Sequence, residues 1–130
     1  MTCRRVLAMV VFWTCLGGNV FAQAQQEDAP FDPLRAAKAV EVGEFYMRRK
    51  NYDAAISRFE EAVYFKPNYA LAYFRLGQSY EKALRPVDAL RAYRKYLEIL
   101  PTGKEARWAK KRIAELGHEQ AKKAPAKAPE

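Results

Sequence analysis

Cysteine, histidine, serine and long apolar runs are all scarce in this chain. Its two cysteines, Cys3 and Cys15, both fall within the first fifteen of 130 residues, so a form processed beyond that stretch has none. A disulfide framework, a cysteine nucleophile and a thiolate zinc site are therefore not expected. Beyond residue 22 there is one histidine (His118), two serines (Ser57 and Ser79) and one threonine (Thr102). A Ser–His–Asp arrangement would have to combine a serine inside a helix pattern with a histidine near the end of the chain. Glu115 and His118 have the spacing of helix-borne metal ligands, but such sites take a second set, and no second histidine exists. Glu60 and Glu61 point to different sides of a helix and read as solvated charges. No catalytic residue, cofactor or metal is expected, and the chain is not read as an enzyme. Half of the residues are apolar, too many for a wholly disordered protein, and the length suits one small domain.

The one apolar run, Val6 to Leu16, follows Arg4 and Arg5 and is broken by Gly17-Gly18-Asn19. Val20-Phe21-Ala22, or Ala22-Gln23-Ala24, then offers small residues for cleavage. Residues 1–24 thus have the three-part layout of a secretory signal peptide. Eleven apolar residues reach only about half of a ~30 Å hydrocarbon core, so an uncleaved signal anchor is the weaker reading. Lipidation at Cys15, in the manner of bacterial lipoproteins, is weaker still because bulky Trp13 stands where small residues are needed. The expected destination is the periplasm or the exterior of a bacterial cell.

Charge is divided unevenly. Residues 23–84 carry nine Lys/Arg and nine Asp/Glu, whereas residues 85–130 carry twelve against six, an excess of +6. The surplus sits in RWAKKR at 107–112 and in Lys122, Lys123 and Lys127. It reads either as a solvated helix face and soluble tail, or as weak attraction of residues 107–127 to an anionic surface. Nucleic acid is not an expected partner, since no binding motif for it is present.

Shifting the sequence by 34 aligns Ala36 with Ala70, Gly43 with Gly77, Tyr46 with Tyr80, Ala55 with Ala89 and Pro67 with Pro101. Between these fall Val42/Leu76, Ile56/Leu90, Phe59/Tyr93 and Val63/Leu97. The pattern resembles the tetratricopeptide repeat, two antiparallel helices per 34 residues. Gly43, Tyr46, Ala55, Phe59, Ala62 and Pro67 carry the resemblance in one repeat. Tyr73, Leu76, Gly77, Tyr80, Ala89, Tyr93 and Pro101 carry it in the next. The resemblance implies an all-α helical-hairpin solenoid: repeats over 36–69 and 70–103, then a capping helix over 103–117. A linker over 25–35 would precede it, and a disordered Ala/Lys/Pro tail over 118–130 would follow. EFYMRRKNYDAAISRFEEAV and ARWAKKRIAEL also look similar to outer-membrane assembly lipoproteins built from such repeats.

Elementary physics gives these positions the same roles. Ala55, Ile56, Phe59, Ala62 and Val63 form one helical stripe, and Leu90, Tyr93, Tyr96, Leu97 and Leu100 form its counterpart. Mid-helix glycine costs about 1 kcal/mol relative to alanine, a cost offset at Gly43 and Gly77 if a neighbouring helix crosses closely there. Pro67 and Pro101 end the second helix of each repeat. Asp32-Pro33 reads as a cap followed by proline at the first helical position, Pro86 repeats the device, and Asn68 and Thr102 read as further N-caps, Thr102 with Glu105 in a capping box. Tyr96 replaces the small residue found at Ala62, with Ala106 and Ala109 on the next helix leaving it room. Ala106, Ala109, Ile113 and Leu116 make one narrow stripe on the last helix, whose other face is charged, as in a capping helix. Gly117 is expected to end it.

Trp108 falls outside that stripe. By the 34-residue shift it corresponds to Phe74 and Val40, and the resemblance places all three toward the concave groove. The choice lies between a partly buried packing residue and an apolar ladder, Val40–Phe74–Trp108, with Leu71 and Met47 beside it. Glu44, Gln78 and Arg112 form the adjoining polar column. Val40 and Glu44 stand where some family members have a Lys/Asn carboxylate clamp, so recognition of an acidic chain end that way is not expected. Phe45 lies where a preceding repeat would pack; either residues 26–35 fold over it or another copy of the chain does. The expected function is that of an exported adaptor or scaffold binding a peptide or helix of another protein in the groove. The alternative is an envelope-associated structural protein whose basic C-terminal part binds anionic lipid or cell-wall polymer.

Overall fold

Asp32 accepts a hydrogen bond from the Arg35 amide at 2.9 Å, and Pro33 follows it at the first position of helix α1, Pro33–Arg48. Four more helices complete the computed structural model, which describes residues 30–123: α2 Tyr52–Phe65, α3 Ala70–Lys82, α4 Pro86–Ile99 and α5 Lys104–Lys123. Among these residues there is no strand, and no helix is long and apolar enough to cross a membrane. The proposed signal peptide over 1–24 and residues 25–29 of the linker lie outside the described residues, and 33–35 of the linker belong to α1.

The helices pair in sequence, α1 on α2 and α3 on α4, with α2 against α3 and α5 closing on α4. This is the all-α helical-hairpin array that the resemblance implied. The reason is visible at the glycines. A Cβ on Gly43 would lie 2.5–2.8 Å from the Phe59 ring, and one on Gly77 would press closer still on Tyr93. Each aromatic of the second helix therefore occupies the space left by the missing side chain of the first. Phe59, Ala62, Ala55, Ala89 and Tyr93 are all fully buried, which unites the two hairpins in one core. Tyr96 is buried too, in the same cluster as Ala106 and Ala109 of α5.

The turn inside each hairpin repeats as well. Lys50 and Leu84, 34 residues apart, are the two non-glycine residues at positive φ among those described, both at 59°. Asn51 then caps α2 by accepting from the Ala54 amide at 3.2 Å, a cap the sequence pattern did not single out.

Three sequence expectations are corrected. Asn68 does not cap α3: Tyr69 takes the capping position, without a side-chain bond. Thr102 does not cap α5 in a capping box. Gly103, at φ +108°, turns the chain one residue later, and its carbonyl accepts from the Arg107 amide. Gly117 does not end α5, which runs on to Lys123. A glycine stops a helix when it adopts the left-handed conformation, and Gly117 does not. The residues that follow it, including Glu119, Gln120 and Ala121, favour helix, and Lys122 and Lys123 suit its C-terminal end. Residues 118–123 thus belong to the helix, and only 124–130 of the expected tail lie outside the described residues.

Candidate functional site: a groove across α1, α3 and α5

A cavity of about 660 Å³ runs over the first helix of each repeat and the last helix, between Met47 on α1 and Trp108 on α5. Gln78 and Arg112 line it together with Arg75, Glu81 and Lys111. A smaller hollow beside it, formed by Glu44, Met47, Arg48 and Arg75, continues it across α1. Met47, Gln78, Trp108 and Arg112, which the resemblance put in or beside the groove, line this cavity, and Glu44 lines the hollow next to it. Val40 and Phe74 do not line it. Both are buried, so the expected ladder is a core feature with one exposed rung. Leu71 is exposed but stands apart from the cavity.

Trp108 fits both alternatives left open by the sequence. Its ring meets Phe74 edge-on at 5.4 Å and Tyr93 at 5.5 Å, yet 38% of the residue stays exposed. Aromatic edges of this kind hold a ring in place while leaving a face free. Met47 is fixed from below, where the Ser79 hydroxyl lies 3.0 Å from its sulfur and 2.9 Å from the Arg75 carbonyl.

Two ionic clusters set the polarity. Arg75 donates to Glu44 at 3.0 Å and to Gln78 at 3.0 Å, linking α1 to α3. Arg112 donates to Glu81 through Nε at 3.1–3.2 Å and pairs with Glu115, linking α3 to α5. Both interhelical bridges span 31 residues, which tilts each one turn off the strict repeat. Glu81 also accepts from the Tyr93 hydroxyl at 2.6 Å. The bond to Glu81, strengthened by Glu115, raises the already high Arg112 pKa, and burial followed by the Glu81 bond pushes the Tyr93 phenol well above its usual value. The groove thus meets a partner with Arg75 and Arg112 already neutralised. Among the described residues Lys82 and Arg48 have no ion-pair partner and Lys111 stands 3.8 Å from Glu115; all three line the groove.

Arg75 and Glu81 were missed in the sequence. Glu81 is the 34-residue counterpart of Met47 and Arg75 sits one turn before Gln78, so the period held the signal for both. No group of three or more potential metal ligands occurs among the described residues.

Residues 43–83 match the family model described as TPR repeat. Over those residues the chain carries the tetratricopeptide repeat. A chloroplast tetratricopeptide repeat domain-containing protein of Arabidopsis thaliana, PYG7, is 38% identical over 66 residues, covering 51% of this chain. This chain spans only 22% of that relative's length. The solution structure of a tetratricopeptide repeat domain protein from Salinibacter ruber matches 76% of this chain and 96% of its own, at 26% identity and a TM-score of 0.48. Tetratricopeptide repeats generally mediate protein–protein interaction.

Proposed function

We propose that this tetratricopeptide-repeat chain is an exported adaptor or scaffold that holds a segment of another protein in the groove across α1, α3 and α5. The observation that carries the reading is the pairing of two apolar anchors, Met47 and Trp108, across a cavity whose central arginines are already neutralised. Such a surface favours an extended or helical segment with an apolar side chain between the anchors, since partly exposed aromatics and methionine are the residues that protein interfaces enrich. Export rests on the signal-like layout of residues 1–24.

Crosslinking from a photoreactive residue at Gln78, in cells, tests it. A discrete protein adduct is expected from that position and not from exposed Glu119. Replacing Trp108 with alanine is expected to weaken binding of that captured protein by about 1–3 kcal/mol, read by titration calorimetry. Unchanged affinity would remove the groove from the account.

One observation favours the alternative reading, attachment to an anionic surface. Lys104, Arg107, Lys111, His118 and Lys122 share one solvent-facing side of α5. Deleting 118–130 separates the readings: envelope association that salt disperses would be lost under the second, while capture of the protein partner would persist under the first.

A further inference from the structure

A second cavity, of about 590 Å³, opens on the α3–α4 hairpin. At 100° per residue its α3 residues, Tyr73, Leu76 and Tyr80, lie on the side of that helix opposite Arg75, Gln78 and Glu81, so cleft and groove stand back to back. Leu90 completes an apolar floor, Val87 forms a lip, and Arg91, Arg94 and Lys95 line one wall.

The repeat provides its own comparison. Thirty-four residues earlier, Val87, Arg91, Arg94 and Lys95 become Asp53, Ser57, Glu60 and Glu61. The two helices have the same length of 14 residues, so the fold requires neither an exposed valine nor three cations here. Val87 is 58% exposed in the first turn of α4, where the helix dipole favours an acid. The cations are only partly satisfied. Lys95 pairs with Glu98 at 2.8 Å, but Arg91 reaches only 3.4 Å from Asp88, which Arg85 already holds at 2.8 Å. Arg94 has no ion-pair partner among the described residues. An apolar floor thus meets a wall whose three cations outnumber its two acids, Asp88 and Glu98, with Arg94 unpaired among the described residues and Arg91 sharing Asp88 with Arg85.

We propose that this cleft is a second docking site, taking an acidic amphipathic helix of another protein. The guest's apolar stripe would lie on Tyr73, Leu76 and Leu90, and its carboxylates would meet Arg91 and Arg94. Residues 87–98 run ~16 Å along α4, a match for about three turns of a guest helix. The site is independent of the groove and gives the chain two faces for two partners.

The probes are two labelled 15-residue helical peptides with the same leucine stripe, one flanked by glutamates and the other by lysines. Fluorescence anisotropy with the full-length chain is expected to show the glutamate peptide binding at least tenfold more tightly than its lysine counterpart, with affinity falling as salt rises. Charge reversal at Arg91→Glu with Arg94→Glu is expected to invert that preference. Val87→Asp, which installs the residue of the first repeat, is expected to weaken the glutamate peptide severalfold with an unchanged far-UV spectrum, and serves where the double variant folds poorly. Trp108→Ala is expected to leave its affinity unchanged. Equal affinity for both peptides, indifference to Arg91, Arg94 and Val87, or loss of binding in Trp108→Ala overturns the proposal. The last outcome assigns the peptide to the groove, so the two sites fail separately.

Discussion

Two pairs of equivalent residues show what the repeat demands of single positions. Gly43 and Gly77 are required by contact. Alanine has the higher helix propensity by about 1 kcal/mol, yet its methyl would strike the face of a fully buried ring. Overpacking of this kind costs about 1–3 kcal/mol, so Gly43→Ala is expected to be destabilising in urea titration despite the propensity gain. Adding Phe59→Leu should recover part of the loss, because the smaller side chain vacates the space; an additive double variant would refute the contact. Lys50 and Leu84 present the opposite case, side chains where glycine fits better. A left-handed residue other than glycine costs about 1–2 kcal/mol, and Leu84 is 87% exposed, so its side chain has little packing to lose. Leu84→Gly is therefore expected to raise stability by about 0.5–1 kcal/mol, after the entropy that glycine adds to the unfolded chain. A drop in the urea midpoint would show that the leucine is held by something other than backbone strain.

Among the elements, α5 departs most from its expected form, and the reason bears on how far such a sequence can be read. Helix pairing was legible through the repeat family that the recurring glycines and aromatics resemble; that each ring fills the space left by a glycine is seen only in the structure. The resemblance put Met47, Gln78, Trp108 and Arg112 in or beside a groove, and all four line one cavity. Burial of Val40 and Phe74 was not legible, since periodicity gives direction around a helix but not how deeply a neighbour covers it. Helix ends were read from residue type, and there type and geometry parted. Asp32 caps because the backbone before Pro33 is extended, whereas at Thr102 the turn is made by Gly103. Gly117 carried a stop signal that its own backbone angle does not enact. Truncation separates the parts of α5. Among the described residues, stopping after Gly117 removes only exposed or partly exposed ones, 118–123, and is expected to cost less than ~0.5 kcal/mol. Stopping after Gly103 removes Ala106, Ala109 and Leu116 and uncovers Tyr96 and Phe74, and in so small a core this is expected to abolish cooperative thermal unfolding by circular dichroism. A cooperative transition in the shorter form would show that the lid is dispensable.

At the scale of the whole molecule, the two ends of the array differ in kind. On α3 the face turned to the first repeat carries Ala72 and Ser79, both fully buried. The equivalent positions of α1 are Lys38 and Phe45, the latter 43% exposed beneath the Arg49 guanidinium. Phe31 and Leu34 do not cover it, being 70% and 81% exposed. A helix cannot approach α1 there as closely as the first repeat approaches α3, so the face around Phe45 is not shaped for another repeat in the same register. Between these ends stand two phenol–carboxylate bonds, each 2.6 Å long: Tyr80 to Glu60 joins the hairpins, and Tyr93 to Glu81 joins α4 to α3 within the second. Burial first, then those carboxylates, raise both phenol pKa values well above 10. In the unfolded chain the same phenols ionise near pH 10. Below that pH both states hold these protons, and tyrosine gives stability no slope. Above it the unfolded chain has released protons that the folded chain keeps, so stability must fall as pH rises, by up to about 2.7 kcal/mol per pH unit for the two groups together. Lysines titrate in the same range, and Lys95 is itself raised by Glu98, so the comparison must isolate the phenols. Tyr93→Phe does this. It loses the Glu81 bond and is expected to be less stable at pH 8, yet between pH 10 and 11.5 its stability should decline less steeply in urea titrations, by up to about 1.4 kcal/mol per pH unit. Equal slopes for the two proteins would mean that the Tyr93 hydroxyl ionises as readily in the core as in water, which its burial beside Glu81 forbids.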